Sequence, residues 1–490
     1  MLTGGPLTTQ QVAAVARSDA RVQLSRDARA RMEGSRRFVE EAPGGGAVYG
    51  VSTGLGALED TRIPARQRKH LQQALIRSHA AGVGPPVERE VVRAMMLLRA
   101  SKLAMGWSGV RPAVVEALAG VLNAGLTPVV PEHGSVGCSG DLAPLAHVAL
   151  FLTGEAEGAE AALAGAGLRP LVLEAKEGLS LINGTDGMLG MLMLAVEDLS
   201  LLLRTADLSA ALSIEALLGT DRPFRPQLRA LRPHPGIQAS AAAIHQLLAG
   251  SGIVASHRES QHAVQDAYSL RCAAQVNGAA RDTLDFAAAL AAREAASAID
   301  NPVVLEDGEL ASNGNFHGAP LGLACDFLAI AAAEVAAIAE RRLDRLLDET
   351  RSRGLPAFLA ADPGLDSGLM IAQYSAAALV ADNRILVHPA SGTSIPTSAM
   401  QEDHNSMGWG AARKLRRVLD NVRRVLAIEL VCAARGLDLR APLEPAPATA
   451  AARDAVRQVV PGVGPDQELA PQLAAAEALV RSGRLLEPPA

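Results

Sequence analysis

Apolar and charged residues alternate at helical spacing through roughly the first 40 positions, and the same period returns over 66–82 and 86–105. Between these stretches, residues 43–56 (PGGGAVYGVSTGLG) break every helical period. Six glycines there allow tight turns at an entropic cost on ordering, so the pattern predicts a mobile surface loop. A Gly/Pro-punctuated segment, 124–140, leads into a short helix starting near Asp141. After Asn183 the pattern lengthens. Ala/Leu-rich segments over 188–218, 275–298, 319–350, 366–384 and 405–434 carry charges at i, i+3 and i+4. Such lengths exceed the average globular helix and suit a bundle with polar side chains facing inward at one level. Strands are expected only around 128–130 and 302–311, and the Ala/Pro enrichment at 441–451 reads as a surface connection. The fold class is therefore mainly α, with an N-terminal, mostly helical domain over 1–190 and a helical bundle over 191–490.

Composition narrows the function classes. The 490 residues are 49% hydrophobic and 20% charged, as in globular chains, and the net charge is −6. With no long run of one sign, nucleic acid and anionic membrane surfaces are poor partners. Cys138, Cys272, Cys325 and Cys432 are far apart and form no CxxC pair, which points to a reducing cytoplasm and away from disulfides or zinc knuckles. The start of the chain lacks the basic and apolar regions of a signal peptide. The apolar stretches 188–203 and 319–339 contain Glu197, Asp198, Asp326 and Glu334, so no membrane span is expected. Only two Trp, three Tyr and seven Phe occur, so each tyrosine in a polar or Gly-rich setting is a candidate for chemistry.

Cofactor motifs are mostly missing. Gly44–Gly50 does not satisfy GxGxxG, no GxxxxGK[ST] exists, and neither a nucleotide nor a metal is expected. His257 and His262 miss the i, i+4 spacing of a helical metal pair, and His147 and His245 read as packing or surface residues. Segment 134–147 (GSVGCSGDLAPLAH) differs. Its plain reading is a loop ending in an N-cap at Ser139 or Asp141, with Pro144 in the first turn. A sharper reading takes Cys138-Ser139-Gly140 as a self-cyclising tripeptide. The Gly140 nitrogen, unobstructed by a Cβ, attacks the Cys138 carbonyl; loss of water closes a five-membered ring, and loss of the Ser139 hydroxyl leaves an exocyclic methylidene. The product is an electrophile, which no ordinary side chain supplies.

These residues resemble the aromatic amino acid ammonia-lyase family, whose methylidene-imidazolone is made from Ala-Ser-Gly. The resemblance runs from about 45 to 435. Its motifs are Tyr49-Gly-Val-Ser-Thr-Gly, Ser78-His79-Ala-Ala-Gly, Gly137-Cys-Ser-Gly-Asp-Leu-Ala-Pro144, Asn183-Gly-Thr, Gln265-Asp-Ala-Tyr268-Ser-Leu-Arg271, Asp300-Asn-Pro, Gly314-Asn-Phe316-His and Gln401-Glu-Asp-His404. Within the family, His79-Ala80 and Gln401-Glu402-Asp403-His404 are similar to the histidine ammonia-lyases. Phenylalanine and tyrosine enzymes, including aminomutases, differ at both places and are the nearest alternative. Departures are Cys138 for the common alanine, whose side chain stays outside the new ring, Gly392-Thr393 for the usual Val-Asp, and Met400 and Asn405 beside the acidic cluster.

The resemblance implies a fumarase/aspartase-like central bundle, a homotetramer with active sites shared between subunits, and a small amino acid as substrate. It implies a methylidene-imidazolone formed from Cys138, Ser139 and Gly140, Tyr49 as the base, and Tyr268 stabilising the cofactor or accepting a proton. Arg271 presents a planar fork to the substrate carboxylate. Asn183 hydrogen-bonds the amino group or the cofactor, Gln265 and Phe316 form pocket walls, and His79 lies near the imidazole. Glu402 is expected to select histidine from the opening of a long helix. Plainer roles exist for each: loop anchor for Tyr49, core packing for Tyr268, surface salt bridge for Arg271, turn residue for Asn183, helix-dipole partner for Glu402. A true fumarase-type enzyme would need the Gly-Ser-Ser-x-Met-Pro signature, which is missing here, and a non-enzymatic helical scaffold would not need the tripeptide together with the tyrosine and arginine set.

Overall fold

Ala- and Leu-rich periodicity becomes long helices in the computed structural model, which describes residues 1–41, 48–259 and 264–487. Asp186–Ala216, Ala273–Ala295, Ala319–Leu347, Met370–Leu386 and Gly408–Asp438 form within a few residues of the expected bounds. The backbone divides into two compact units. The first comprises 1–197, 287–326 and 389–413, and the second comprises 198–286, 327–388 and 414–490. Four of the five chain crossings between them fall inside continuous helices; the fifth, between 388 and 389, follows the end of Met370–Leu386, and two later stretches return to the first unit.

In the first unit, helix Thr9–Ser18 starts on a reciprocal capping box. The Thr8 hydroxyl accepts from Gln11 N at 3.2 Å, and Gln11 Oε1 accepts from Thr8 N at 3.0 Å. Helix Arg89–Leu103 is almost wholly buried, with Met95, Met96, Leu97 and Leu98 in the core. Three further helices pack mutually: Arg68–His79, Leu142–Leu152 and Glu177–Ile182. A short antiparallel ribbon pairs Val83–Pro86 with Pro131–His133. A second pairs Val303–Val304 with Leu310–Ala311.

The second unit holds the greater part of the long helices. Arg342 and Glu429, both fully buried, meet fork to fork at 2.5 and 2.9 Å, and Ser213 donates to the same carboxylate at 2.7 Å. A buried pair of this kind is lost at a cost of several kcal/mol if one partner is removed, because the other charge stays in the core. Ala319–Leu347 is long and apolar enough to cross a membrane by length and composition. Yet more than half of its apolar stretch is buried in the structure, and Asp326 within the helix is buried too, as in the core helix of a bundle.

Four expectations change. The long helix expected to open at 401–405 begins only at Gly408, because Thr397 and Glu402 pair with each other as an isolated antiparallel bridge. Residues 42–47 of the expected mobile loop lie outside the described residues, while Gly50–Gly54 are buried rather than on the surface. The stretch 441–451 includes the start of helix Pro447–Arg457, with Ala446 buried and its N–H held by Glu215 Oε1 at 2.7 Å. The strand expected at 128–130 forms at Pro131–His133.

Candidate active site

The three mutually packed helices of the first unit wall a cavity of about 710 Å³, and Tyr49, His79, Ser139, Asn183 and Glu402 all line it. His79 ends the first helix, Leu142 begins the second, and Asn183 follows the third. Leu55, Leu75, Leu179 and Ile182 supply apolar wall. An apolar chamber with a few converging polar groups is the usual form of a small-molecule site.

The tripeptide loop is clamped at both ends. Ser406 Oγ donates to Gly137 O at 2.8 Å, Met407 N to Val136 O at 2.8 Å, and Asp141 N to Gly184 O at 2.7 Å. Asp141 does not cap its own helix. Its carboxylate instead accepts from Gly187 N and Met188 N at 2.8 and 2.9 Å, closing the N-terminus of Asp186–Ala216. Complete burial pushes the Asp141 carboxyl up to about 7 against these hydrogen bonds. Gly140 has φ +80, and a Cβ there would sit 2.2 Å from Gly184 O. Only glycine fits, which is the steric condition for its nitrogen to close a ring on Cys138. The residues present therefore fit an internal methylidene-imidazolone. Cys138 sits on this loop without lining the cavity; burial and the neighbouring Glu402 charge push its thiol up to about 12.

Asn183 is held from behind. Its amide nitrogen donates to Asp300 Oδ1 at 3.3 Å and Asn301 O at 3.1 Å, and its backbone carbonyl accepts from Arg99 at 3.0 Å. Asp300 in turn accepts from Lys176 at 2.9 Å and Ser180 at 2.8 Å, all buried. Burial alone would raise Asp300, but Lys176 and Arg99 outweigh it and hold the carboxyl below its usual range. Asn183 Oδ1 is left buried without a hydrogen-bond partner, an acceptor that an N–H donor would satisfy.

His79 Nδ1 lies 3.0 Å from Leu75 O. A carbonyl only accepts, so Nδ1 carries the proton and Nε2 keeps its lone pair. Burial holds this imidazole below its usual value, in the neutral form. Tyr49 Oη accepts from Gly56 N at 3.0 Å. Burial raises the phenol and the Glu402 charge adds to this, while the Gly56 N–H opposes both.

Glu402 hangs from a strained turn. Ser398, Ala399 and Met400 have φ of 51°, 50° and 70°, three successive left-handed residues without a glycine. Each costs about 1–2 kcal/mol. Such outliers persist only where surroundings over-determine them. Here Ser398 Oγ also accepts from Ala57 N at 3.2 Å, tying the turn to the segment that follows Tyr49.

The remaining candidates sit elsewhere. Phe316 is half-buried in the turn before Ala319–Leu347 and does not line this cavity. Gln265, Tyr268 and Arg271 belong to the second unit, where Gln265 and Arg271 line a cavity of about 420 Å³ together with Arg222, Arg225, Arg229 and Arg232. Tyr268–Arg271 is one helical turn, and the Arg271 guanidinium carbon lies 4.7 Å from the Tyr268 ring centre. Tyr268 is 72% exposed. Arg342 donates to Ser269 O at 3.3 Å and Arg353 to Asp266 Oδ1 at 3.0 Å, so this segment is tied to the bundle. Sequence reasoning missed Ser398, Ala399, Lys176 and Arg99. Their only signal is position: no motif announces a left-handed turn or a buried lysine. Among the described residues, no cluster of three or more His, Cys, Asp or Glu side chains suits a metal ion.

Comparison with known proteins agrees with this geometry. The family model for aromatic amino acid lyase matches residues 7–458. The chain is 57% identical to the histidine ammonia-lyase of Streptomyces coelicolor over 98% of this chain and 96% of that one. It is 49% identical to the histidine ammonia-lyase of Sorangium cellulosum over 99% and 98%. Among solved structures, the tyrosine aminomutase of Streptomyces globisporus superposes with a TM-score of 0.93 at 39% identity, covering 99% of this chain and 97% of that one. The histidine ammonia-lyase of Trypanosoma cruzi gives 0.91 at 39% identity, covering 99% and 93%. The chain belongs to the aromatic amino acid lyase family.

Proposed function

We propose that this chain removes ammonia from L-histidine without oxidation, giving trans-urocanate, the first step of histidine degradation. The observation that carries this reading is the convergence of Ser139, Tyr49, His79, Asn183 and Glu402 on one apolar-walled cavity. The methylidene-imidazolone formed from Cys138, Ser139 and Gly140 supplies the electron sink that makes the amino group a leaving group. The reaction breaks the Cα–N bond and one Cβ–H bond, forms a carbon–carbon double bond, and releases the amine as ammonia.

Tyr49 takes the β-proton at Oη. Burial and the Glu402 charge raise its phenol, and the positive charge that the substrate brings offsets both, so that it acts as a base. Asn183 Oδ1 accepts from the substrate amino group. Glu402 accepts the imidazole N–H, a contact that a phenyl or phenol ring cannot make at that place. His79, neutral with its proton fixed on Nδ1, faces the ring with a lone pair. Leu55, Leu75 and Ile182 keep water out.

Arg271 receives the substrate carboxylate in a bidentate fork and Tyr268 stacks against it, with Gln265 and Phe316 as walls. These residues act in a homotetramer whose active sites draw on more than one subunit. Support comes from the exposure of Tyr268 and of Phe286, Phe327, Ile371 and Ile385 on long helices, an apolar surface that suits burial by further copies. The enzyme works in the cytoplasm, a reading supported by four cysteines that form no disulfide among the described residues.

The test is ammonia release from L-histidine, L-tyrosine and L-phenylalanine, each supplied separately. Release from histidine alone supports the reading; release from tyrosine or phenylalanine in preference would make this a sister lyase, and none from any would sink it.

A further inference from the structure

Glu402 is held by two side chains that face no substrate. Thr397 Oγ1 donates to Glu402 Oε2 at 2.5 Å, and the two residues are also joined through their backbones, Thr397 N to Glu402 O at 3.0 Å and Glu402 N to Thr397 O at 3.3 Å. A hydroxyl has one proton, so whether it points to the carboxylate depends on what else the oxygen meets. Here it meets Asn405 Nδ2 at 3.0 Å.

The orientation of the Asn405 amide is fixed independently. The same nitrogen lies 2.6 Å from Ile395 O, which can only accept. That end of the amide is therefore the NH₂, and it can only donate to Thr397. The Thr397 oxygen accepts from Asn405, which leaves its own proton for Glu402. Asn405 itself is 1% exposed, and its backbone N–H is held by Ser394 Oγ at 2.6 Å. Its Oδ1 has no hydrogen-bond partner. A buried amide kept with an unsatisfied oxygen calls for a reason; its nitrogen holds the backbone carbonyls of Ile395 and, at 3.4 Å, Glu402, and in the same place it directs the Thr397 proton.

We infer that Asn405 and Thr397 are positioning residues for substrate selection: Asn405 aims the Thr397 hydroxyl, which occupies Glu402 Oε2 and turns Oε1 toward the substrate ring. This rests on the proposed role of Glu402 as the acceptor of the imidazole N–H. The two claims separate experimentally. A contact made equally in ground and transition states appears in KM more than in kcat, so loss of the relay should do the same.

The test is steady-state kinetics with L-histidine on the full-length chain and five variants: Thr397→Val, Thr397→Ser, Asn405→Ala, Glu402→Ala, and the double variant Thr397→Val/Glu402→Ala. Thr397→Val is expected to lower kcat/KM about tenfold or more, chiefly through KM, as for loss of a hydrogen bond to a charged group. Thr397→Ser should recover to within about threefold, and Asn405→Ala should lose about three- to tenfold. In the Glu402→Ala background, Thr397→Val should add no further loss, because its partner is gone. Wild-type kinetics in both Thr397→Val and Asn405→Ala, beside a damaged Glu402→Ala, would overturn the relay alone. Unchanged kinetics in Glu402→Ala would overturn the selector reading and the relay with it. A full additional loss in the double variant would mark Thr397 as structural and also overturn the relay. If Thr397→Val does not fold, Asn405→Ala and Thr397→Ser still decide the question.

Discussion

Tyr49 Oη and the amide of Gly56 are 3.0 Å apart, so the side chain proposed as base is pinned by the backbone seven residues further on. That single donor works against burial and the Glu402 charge, which both raise the phenol. A phenol must lose its proton before it can take one, so kcat/KM should climb as pH rises through the alkaline range. Tyr49→Phe keeps the ring and removes the base. Turnover should fall about a hundredfold or more and the alkaline climb should vanish, with the fold unchanged. Turnover within about threefold of wild type, measured where chemistry limits, would remove Tyr49 from the role.

Gly140 approaches Gly184 too closely for any side chain. Intact-mass and peptide measurements should find the purified chain two waters lighter than its sequence, with the deficit on the peptide spanning Cys138-Ser139-Gly140. Gly140→Ala should restore the full mass and abolish turnover, and Ser139→Ala should lower activity by several orders of magnitude. A wild-type chain of unmodified mass would end the cofactor assignment.

For Glu402, replacement by Gln or Ala should lower kcat/KM for histidine at least tenfold while the two-water deficit remains. A carboxylate desolvated without a partner costs about 1–3 kcal/mol or more, so the same residue disfavours a phenyl ring. Asp403 is exposed and outside the cavity, and Asp403→Asn should leave histidine kinetics within about twofold. Arg271→Lys should weaken substrate binding, since a point charge cannot replace a fork.

Cys138 offers a chemical check on the same corner. With its thiol pushed up to about 12, only a minute fraction is thiolate at pH 8. Alkylation of the Cys138 peptide should run at least about a hundredfold slower than that of an ordinary exposed cysteine of pKa ~8.5. Cys138→Ala should keep most activity, because the side chain lies outside the ring. Rapid alkylation, or complete loss of activity in a folded Cys138→Ala, would show a role for the thiol.

Asp141 predicts a pH signature in stability. The folded chain keeps this carboxyl protonated up to about 7, whereas the unfolded chain releases the proton near 3.8. Between those values the unfolded state binds fewer protons, so stability falls as pH rises, by up to about 1.4 kcal/mol per pH unit. The contribution is complete below about 3.8 and gone above about 7. Denaturant melts of wild type and Asp141→Asn should therefore diverge across this window, the wild type losing stability relative to the variant. Parallel curves would show that the helix N-terminus keeps Asp141 ionised throughout.

Long helices were legible because a 3.6-residue period repeated over many consecutive turns outweighs local exceptions, and their ends fell close to the expected ones. The tripeptide, Tyr49, His79, Asn183 and Glu402 were legible because each sits in a distinctive short motif. What the sequence hid is non-local. Lys176 reaches Asp300 across 124 positions and Asn183 reaches it across 117, so nothing in either segment announces the partner. The start at Gly408 was hidden for a related reason. Acids at 402 and 403 look like a first helical turn, but the Thr397–Glu402 bridge and the left-handed residues between them delay it. Asp141 likewise looks like the cap of its own helix and instead closes one that begins 45 residues later.

The most direct measurement is a side-by-side determination of kcat/KM for L-histidine and L-tyrosine, from the near-ultraviolet absorbance of each unsaturated product. The account predicts rapid appearance of trans-urocanate with an equal amount of ammonia, and a tyrosine value lower by several orders of magnitude. A tyrosine value equal to or above that for histidine, or conversion of tyrosine to a β-amino acid, would contradict it.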